Sequence, residues 1–299
     1  MLQKKTRDSD IHPTTHIEPP ASLAGLDSWS GHTKHGRKWE VMRGDCIKSL
    51  KLLEAERFQC VVTSPPYYWQ RDYKVEGQIG LEKDIDGYVS NVVNCMSEVR
   101  RVLKKNGVLF LNLGDTYYSA KGLPKGDDRK NKARRFGLRA VDASGLGVPR
   151  KTILGLPWRI ALSMIADGWI LRSPIIWERH NTLPEPTAKD RPWRTYEFLF
   201  LFAKHQKYFF SRENLKGAED VWRIPIRTNG KNVEHAATFP QALAEKCILC
   251  GSKEGDEILD PFAGSGSTMI ASLRANRNAF GVDLKEEYCS AISKQLSLL

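Results

Sequence analysis

The spacing of apolar and polar residues predicts regular structure from about Trp39 onward. The run RFQCVVT at residues 57–63 predicts a buried strand in which Cys60 is a small apolar residue. This strand must end at Ser64-Pro65-Pro66, because proline lacks the N–H group that a β-ladder needs. Apolar residues then recur at helical spacing over 89–103, and Asn106-Gly107 is predicted to close that helix before a second apolar strand over 108–113.

The same alternation of strands and helices continues to the C-terminus and predicts the fold class. Further strands are predicted over 169–177, 196–203, 257–260 and 279–283, and further helices over 156–166, 239–249, 267–275 and the last residues. This order indicates an α/β fold with a doubly wound, mostly parallel sheet. Residues 1–38 are polar and lack a sustained period, so we interpret them as an N-terminal arm, loosely ordered or docked, beside a domain spanning 39–299.

Composition narrows the class of protein further. The 299 residues are 41% hydrophobic, enough for a proper core, and contain no apolar run of about 18 residues that could span a membrane. We also expect no secretory signal, because the first residues lead into a polar stretch. The net charge of +11 favours a polyanionic partner such as nucleic acid, with simple solubility as the alternative explanation.

More than half of that charge lies in one segment. Residues 116–150 contain nine basic and three acidic residues, a net charge of +6, together with seven glycines and prolines. The segment interrupts the pattern of strands and helices, which predicts a basic insert. A solvated loop without a partner is the alternative.

The cysteines favour packing over metal binding. Six are scattered along the chain, and Cys247-Ile-Leu-Cys250 has the spacing of only half a zinc site. No second Cys or His pair completes that site, so we expect no metal and interpret both sulfurs as packing atoms of a helix. This usage favours a reducing, intracellular compartment.

Residues 258–268 (ILDPFAGSGST) are typical of a loop that binds a cofactor. An apolar strand leads into a turn of small residues and then into a helix, whose amino end offers free N–H groups. A phosphate-binding nucleotide loop would need Lys at position 267, and a dinucleotide loop would need Gly at position 269, so both fit poorly. S-adenosylmethionine fits better, because Asp260 closes one strand and Asp283 closes the next, where it would accept hydrogen bonds from the ribose hydroxyls. A tight turn without a ligand is the structural alternative.

Residues 61–68 (VVTSPPYY) are the candidate catalytic loop. They place Ser64, two prolines and Tyr67 at the carboxyl end of a buried strand, where ligands bind in open α/β sheets. The prolines stiffen the loop, so that the Ser64 hydroxyl and the Pro65 carbonyl would be preorganised acceptors for an exocyclic amine, and Tyr67 offers a face on which an extruded base could stack. Methylation of carbon 5 of cytosine would need a Cys nucleophile after a Pro, and no Cys follows a Pro in this chain. A simple strand terminator is the structural alternative.

These motifs, in this order, resemble the bacterial-type DNA amino methyltransferases of the beta arrangement. Thr63 to Tyr67 match the catalytic motif of that family, in the Ser form that is typical of cytosine-N4 enzymes, and Asp260 to Thr268 match its cofactor motif. Gly44-Asp45-Cys46 resembles the segment whose acid meets the adenine of the cofactor. His235 to Pro240 resemble the segment around its methionine end. The chain has only the short stretch 211–220 where many relatives carry a target-recognition insert, so we expect residues 116–150 to read DNA instead.

The resemblance implies a methyltransferase catalytic domain over 39–299 that transfers a methyl group from S-adenosyl-L-methionine to cytosine N4 in duplex DNA after flipping the base. It implies that the catalytic residues are Ser64, Pro65, Pro66 and Tyr67. The cofactor-binding residues would be Asp45, Thr63, His235, Thr238, Phe239, Pro240, Asp260, Pro261, Phe262, Gly264, Ser265, Gly266 and Asp283. From the basic insert we expect DNA contacts by Lys121, Lys125, Lys130, Lys132, Arg134, Arg135 and Arg139.

Alternatives remain at this point. Adenine-N6 methylation is the nearest alternative activity. A DNA-binding relative without catalysis is an alternative from another functional class. Methylation of RNA or protein is a third alternative. The resemblance also implies a cytoplasmic protein of a restriction-modification system, as a monomer or a homodimer. A companion restriction endonuclease is left open.

Overall fold

The predicted apolar runs form the strands of one sheet in the computed structural model, which describes residues 21–23, 26–118, 146–179, 181, 188–215, 219–226 and 239–299. The strands are β1 (Ala21–Leu23), β2 (Leu26–His32), β3 (Lys38–Arg43), β4 (Phe58–Thr63), β5 (Leu103–Leu113), β6 (Ile170–Glu178), β7 (Tyr196–Ala203), β8 (Val221–Arg223), β9 (Glu257–Asp260) and β10 (Asn278–Asp283). The helices are α1 (Cys46–Lys51), α2 (Ile85–Val102), α3 (Leu156–Ala166), α4 (Gln241–Gly251), α5 (Ser267–Arg274) and α6 (Glu286–Leu296), with a 3-10 turn at Glu213–Leu215.

The sheet has a parallel centre and flanks that are antiparallel except at the edge strand β8, which runs parallel to β6. Its order is β1-β2-β3-β10-β9-β4-β5-β7-β6-β8, and the five strands from β3 to β5 run parallel. On one flank β2 runs antiparallel to β3, and on the other β7 runs antiparallel to both β5 and β6. The prediction of a mostly parallel α/β sheet is confirmed.

Helices cover both faces of the central strands, as a doubly wound fold requires. Along β4, Val61 packs into the core cluster that includes α2 and α3, whereas Cys60 and Val62 pack into the cluster that includes α4. All six residues of β4 are buried, because successive side chains of a strand point to opposite faces and both faces are covered. The sulfurs of Cys247 and Cys250 lie in the α4 cluster, which confirms that they are packing atoms.

Two sequence predictions of the element boundaries are wrong. Regular structure begins before Trp39, because β2 pairs with β3 and extends the sheet; its Gly31 leaves room for the Trp39 ring, where a Cβ atom would approach to 2.6 Å. Residues 1–20 of the predicted arm lie outside the described residues. In addition, Asn106-Gly107 does not close α2, since Leu103 is already extended and pairs with Phe58 as the first residue of β5.

The remaining elements keep their predicted order. The helix predicted over 239–249 starts at Gln241 and ends at Gly251, so Pro240 is its N-cap residue. Of the basic insert 116–150, the structure describes only residues 116–118 and 146–150, where Tyr117 bridges to Ile153. Within the described ranges, no helix combines the length and apolar character needed to cross a membrane.

Candidate active site

The carboxyl ends of the central parallel strands bring the predicted site residues together. Asp45 follows β3, Ser64 follows β4, and Asp260 and Asp283 close β9 and β10. Because parallel strands end at the same edge of a sheet, residues more than 200 positions apart meet there. Two clefts open at this edge, and Ser64 lines both.

The first cleft contains most of the predicted cofactor residues. It encloses about 1090 Å³, open to solvent. Its lining includes Asp45, Phe239, Asp260, Pro261, Phe262, Gly264, Ser265 and Asp283 from the predicted set. Three other members of the set, Thr63, Pro240 and Gly266, do not line the cleft, and His235 and Thr238 lie outside the described residues.

The turn that contains Gly264 and Gly266 has a backbone conformation that favours glycine. Gly264 and Gly266 have φ values of 53° and 78°, in the left-handed region that glycine adopts without strain. A Cβ atom on Gly264 would make one ordinary van der Waals contact, 3.8 Å from Phe262 O, so the space beside this glycine is otherwise unfilled. A Cβ atom on Gly266, the N-cap of α5, would meet Ile292 at 3.1 Å, so this glycine serves helix packing.

Asp283 is a partly buried acid of the first cleft with a raised pKa. Its Oδ2 accepts from the Gly264 N–H at 2.8 Å, and its Oδ1 accepts from the Lys285 N–H at 2.9 Å. Burial raises the pKa of Asp283 to about 6, and these two backbone donors offset the effect only in part. Each carboxylate oxygen therefore receives one N–H bond and retains a lone pair for a ligand donor.

Asp260 and Asp45 line the first cleft and also accept hydrogen bonds from other residues of the protein. The Thr63 hydroxyl donates to Asp260 Oδ1 at 2.7 Å and the Phe262 N–H donates to the same oxygen at 3.1 Å. Burial raises the pKa of Asp260. Asp45 caps α1 by accepting from the Lys48 N–H at 3.0 Å. Thr63 thus contacts the cleft residue Asp260 as a hydrogen-bond donor, and Pro240, the N-cap of α4, follows the cleft residue Phe239 in sequence.

The second cleft adjoins the first through a shared wall. It encloses about 1420 Å³ and is lined by all four predicted catalytic residues, Ser64, Pro65, Pro66 and Tyr67. The residues common to both clefts are Ser64, Pro66, Arg71, Tyr73 and Phe239. A group held in one cleft therefore lies beside a group held in the other, with Ser64 between them.

Tyr67 is anchored through its hydroxyl group. The Ser64 hydroxyl donates to Tyr67 Oη at 3.2 Å, and Tyr67 Oη lies 2.7 Å from Glu197 Oε2 and 3.0 Å from Asn112 Oδ1. The Tyr67 ring packs on Gly114, where a Cβ atom would approach ring carbon Cε2 to 2.5 Å. Burial, with the nearby Glu197 charge, raises the pKa of Tyr67, so the phenol keeps its proton.

Several residues of the second cleft were not found by sequence reasoning. Glu197 forms an ion pair with Arg179, with Nη1 and Oε1 2.8 Å apart, and Arg71 and Tyr73 line both clefts. A charged residue at the start of the apolar strand β7 is the signal that could have indicated Glu197. Arg71 and Tyr73 lie in a loop without periodicity, which offers no such signal.

A basic and aromatic surface, which we name the rim, borders the second cleft. It comprises Tyr117 with the two arginines that lie over its ring, Arg191 and Arg194, the cleft residue Tyr196, the ion pair of Lys151 with Asp190, and the sequence neighbours Arg150, Lys189 and Trp193. Trp193 is 52% exposed, and the Arg191 guanidinium lies 3.9 Å from the centre of the Tyr117 ring. Arg194 and Tyr196 reach into the cleft lining itself. The predicted DNA contacts Lys121, Lys125, Lys130, Lys132, Arg134, Arg135 and Arg139 all lie outside the described residues.

Comparison with known proteins gives consistent matches over most of the chain. A family model described as DNA methylase matches residues 58–294. The Type II methyltransferase M.SmaI of Serratia marcescens is 39% identical over 271 residues, which cover 87% of this chain and 91% of that protein. The Type II methyltransferase M.Cfr9I of Citrobacter freundii is 38% identical over 255 residues, which cover 83% and 84%.

Solved structures share the fold. The putative DNA modification methylase TTHA0409 from Thermus thermophilus, in complex with S-adenosyl-L-methionine, superposes with a TM-score of 0.60 at 26% identity, over 86% of this chain and 92% of that one. The cytosine-N4-specific PvuII DNA methyltransferase superposes with a TM-score of 0.65 at 20% identity, over 87% and 86%, which shows a common fold.

Proposed function

We propose that this chain, which belongs to the DNA methylase family, transfers a methyl group from S-adenosyl-L-methionine to the N4 amine of a cytosine flipped out of duplex DNA. The observation that carries the proposal is the position of Ser64 in the common wall of two clefts. The first cleft suits the methyl donor, the second suits an extruded base, and the two reactants would meet at Ser64.

The first cleft fits the cofactor on three counts. Asp283 retains one lone pair on each carboxylate oxygen, as two ribose hydroxyls would require. Gly264 leaves open space at the turn, and α5 starts directly after Gly266. When bound, S-adenosyl-L-methionine supplies an electrophilic methyl group. Asp45 and Phe262, both in the cleft lining, are the proposed contacts to its adenine end and its body.

Ser64 and Pro65 would raise the nucleophilicity of the target amine. The lone pair of an exocyclic amine is delocalised into the ring, which makes the neutral group a poor nucleophile. By accepting its two N–H bonds, Ser64 Oγ and the Pro65 carbonyl would favour the pyramidal form, whose lone pair points away from the ring. The pyramidal amine would attack the methyl carbon as the bond from that carbon to the sulfonium sulfur breaks, and the methylated amine would then lose one proton to water, with no covalent bond to the enzyme.

The anchored ring of Tyr67 would hold the extruded base by stacking, worth about 1–3 kcal/mol by comparison with single-strand binding. Its hydroxyl contacts and Gly114 keep the ring in place before the base arrives, so little ordering is needed on binding. The choice of cytosine over adenine rests on Ser64 in the catalytic motif, in the form typical of cytosine-N4 enzymes.

Duplex DNA would lie across the rim. This surface combines five basic side chains, of which Lys151 pairs with Asp190, with exposed aromatic rings next to the cleft that would receive the base. Phosphate contacts by Arg and Lys would supply most of the affinity and make it sensitive to salt. The basic insert 116–150 is proposed to extend this surface. Because the relatives are Type II methyltransferases, we propose a restriction-modification system with a cognate endonuclease.

Methyl transfer to duplex DNA, followed by mass spectrometry of the nucleosides, tests the proposal. We expect N4-methylcytosine from the wild-type chain and none from Ser64→Ala. The matched control is Ser90→Ala on the exposed face of α2, which should retain the wild-type rate. N6-methyladenine alone would overturn the choice of base. No transfer to any DNA by a chain that binds the cofactor would overturn the enzymatic function.

A further inference from the structure

A chain of hydrogen bonds leads from Ser64 to a mostly buried ion pair in the second cleft. Ser64 Oγ donates to Tyr67 Oη at 3.2 Å, and Tyr67 Oη donates to Glu197 Oε2 at 2.7 Å. The other Glu197 oxygen accepts from Arg179 Nη1 at 2.8 Å. The Arg179 and Glu197 side chains are only 17% and 13% exposed, so both are held in place and little screened by water.

Glu197 determines the donor and the acceptor in each hydrogen bond of this series. An ionised carboxylate can only accept, so Tyr67 must supply the proton between them. Asn112 Oδ1, 3.0 Å from Tyr67 Oη, is also an acceptor, because the amide nitrogen of Asn112 donates to the Phe198 carbonyl and orients the group. Two acceptors therefore compete for the single Tyr67 proton. None is left for Ser64, and the Ser64 proton points to the Tyr67 oxygen instead.

This direction decides what Ser64 presents to the substrate. A hydroxyl group has one proton and two lone pairs, and here the proton is occupied inside the protein. Ser64 Oγ therefore faces the cleft with lone pairs, which match the N–H bonds of an exocyclic amine. A Ser64 hydroxyl that turned its proton into the cleft would oppose those N–H bonds.

We propose that Glu197 is a positioning residue, which acts through the Tyr67 hydroxyl to keep Ser64 an acceptor for the target amine. Arg179 contributes by holding Glu197 in place. The inference rests on the proposed function, because it takes an exocyclic amine as the group that Ser64 receives. It adds to that function a residue 133 positions from Ser64 and outside the catalytic motif.

The variant Glu197→Gln tests the proposal with almost no change in shape. Arg179 can only donate, so it holds the amide oxygen and turns the new NH2 group toward Tyr67. The Tyr67 proton then turns to Asn112 Oδ1, and the new NH2 group competes with the Ser64 hydroxyl for the lone pairs of Tyr67 Oη, so that Ser64 loses its fixed acceptor. We expect the single-turnover rate of methyl transfer to fall about tenfold, the equivalent of one hydrogen bond to a charged group, with unchanged Kd for S-adenosyl-L-methionine and for DNA.

A second variant separates this role from general support of the fold. Tyr67→Phe keeps the ring and the ion pair of Glu197 with Arg179, but removes the hydroxyl through which Glu197 acts. We expect a similar loss of rate, and no further loss when Glu197→Gln is added to Tyr67→Phe. Glu178→Gln is the matched control, because Glu178 pairs with Arg223 at 2.9 Å and lines neither cleft. It should retain the wild-type rate.

The proposal is overturned if Glu197→Gln keeps the wild-type rate, or if it slows the wild-type and the Tyr67→Phe proteins by the same factor. Should Glu197→Gln fail to fold, Tyr67→Phe decides alone, and a full rate in that variant refutes the proposal. A wild-type chain that methylates adenine N6 would overturn only the choice of cytosine, since that amine also needs an acceptor. Wild-type transfer to cytosine with unaffected variants would overturn only the role of Glu197.

Discussion

The affinity for S-adenosyl-L-methionine should depend on pH through Asp283. Burial raises the pKa of this carboxyl to about 6 in the ligand-free protein. Its two oxygens already accept from the Gly264 and Lys285 N–H groups, and the lone pairs that remain are those that the ribose hydroxyls would use. Protonation places a hydrogen on one of these oxygens, so the ionised form is expected to be the one that binds.

The pKa sets the size and the sign of the effect. With a pKa of about 6, roughly 91% of the Asp283 carboxyls are ionised at pH 7 and roughly 9% at pH 5. The affinity should therefore be nearly constant above pH 7 and should fall as the pH drops through 6. Between pH 7 and pH 5 the Kd should rise about tenfold, which corresponds to about 1.4 kcal/mol.

Isothermal titration calorimetry from pH 5 to pH 8 measures this dependence directly. Asp283→Asn removes the titrating group, so it should bind more weakly at pH 7 and lose the pH dependence. Asp260 is the competing source, because burial also raises the pKa of that carboxyl. A tenfold change that persists in Asp283→Asn would assign the effect to another group and refute this reasoning.

Three further predictions follow from single contacts. Gly114→Ala should slow methyl transfer about tenfold or more with unchanged cofactor binding, because its Cβ atom would displace the Tyr67 ring from its place in the cleft; single-turnover kinetics measures this. Thr63→Val should lower the free energy of unfolding by about 1–3 kcal/mol, because it removes the hydroxyl donor of the buried Asp260 carboxyl. Urea denaturation measures this, and a change below about 0.5 kcal/mol would contradict the assigned hydrogen bond. Arg191→Ala should weaken DNA binding and reduce the slope of log K against log salt concentration by about one. Trp193→Ala should weaken DNA binding without changing that slope. Equal slopes in the wild-type protein and both variants would remove Arg191 from the DNA contacts.

Local patterns were sufficient to predict where the candidate catalytic loop and the candidate cofactor loop lie. Pro65 and Pro66 end β4 wherever the strand lies in the sheet, and glycines at 264 and 266 allow the turn before α5 in any context. For this reason the loops and their order could be read from adjacent residues, and the family could be recognised from them. The same local reasoning failed at Asn106-Gly107, where the pairing of Leu103 with Phe58 outweighs the usual helix-ending preference of glycine.

The order of the strands in the sheet is not a local property, and the rest of the site depends on it. Glu197 comes within 2.7 Å of Tyr67 because β7 inserts antiparallel beside β5, and Arg179 follows because β6 pairs with β7. Nothing in the periodicity of β7 distinguishes this neighbour from any other. Adjacent residues were therefore enough to identify the loops to which we assign the chemistry. The charged groups around those loops come from the packing of distant strands, which depends on the free energy of the whole core.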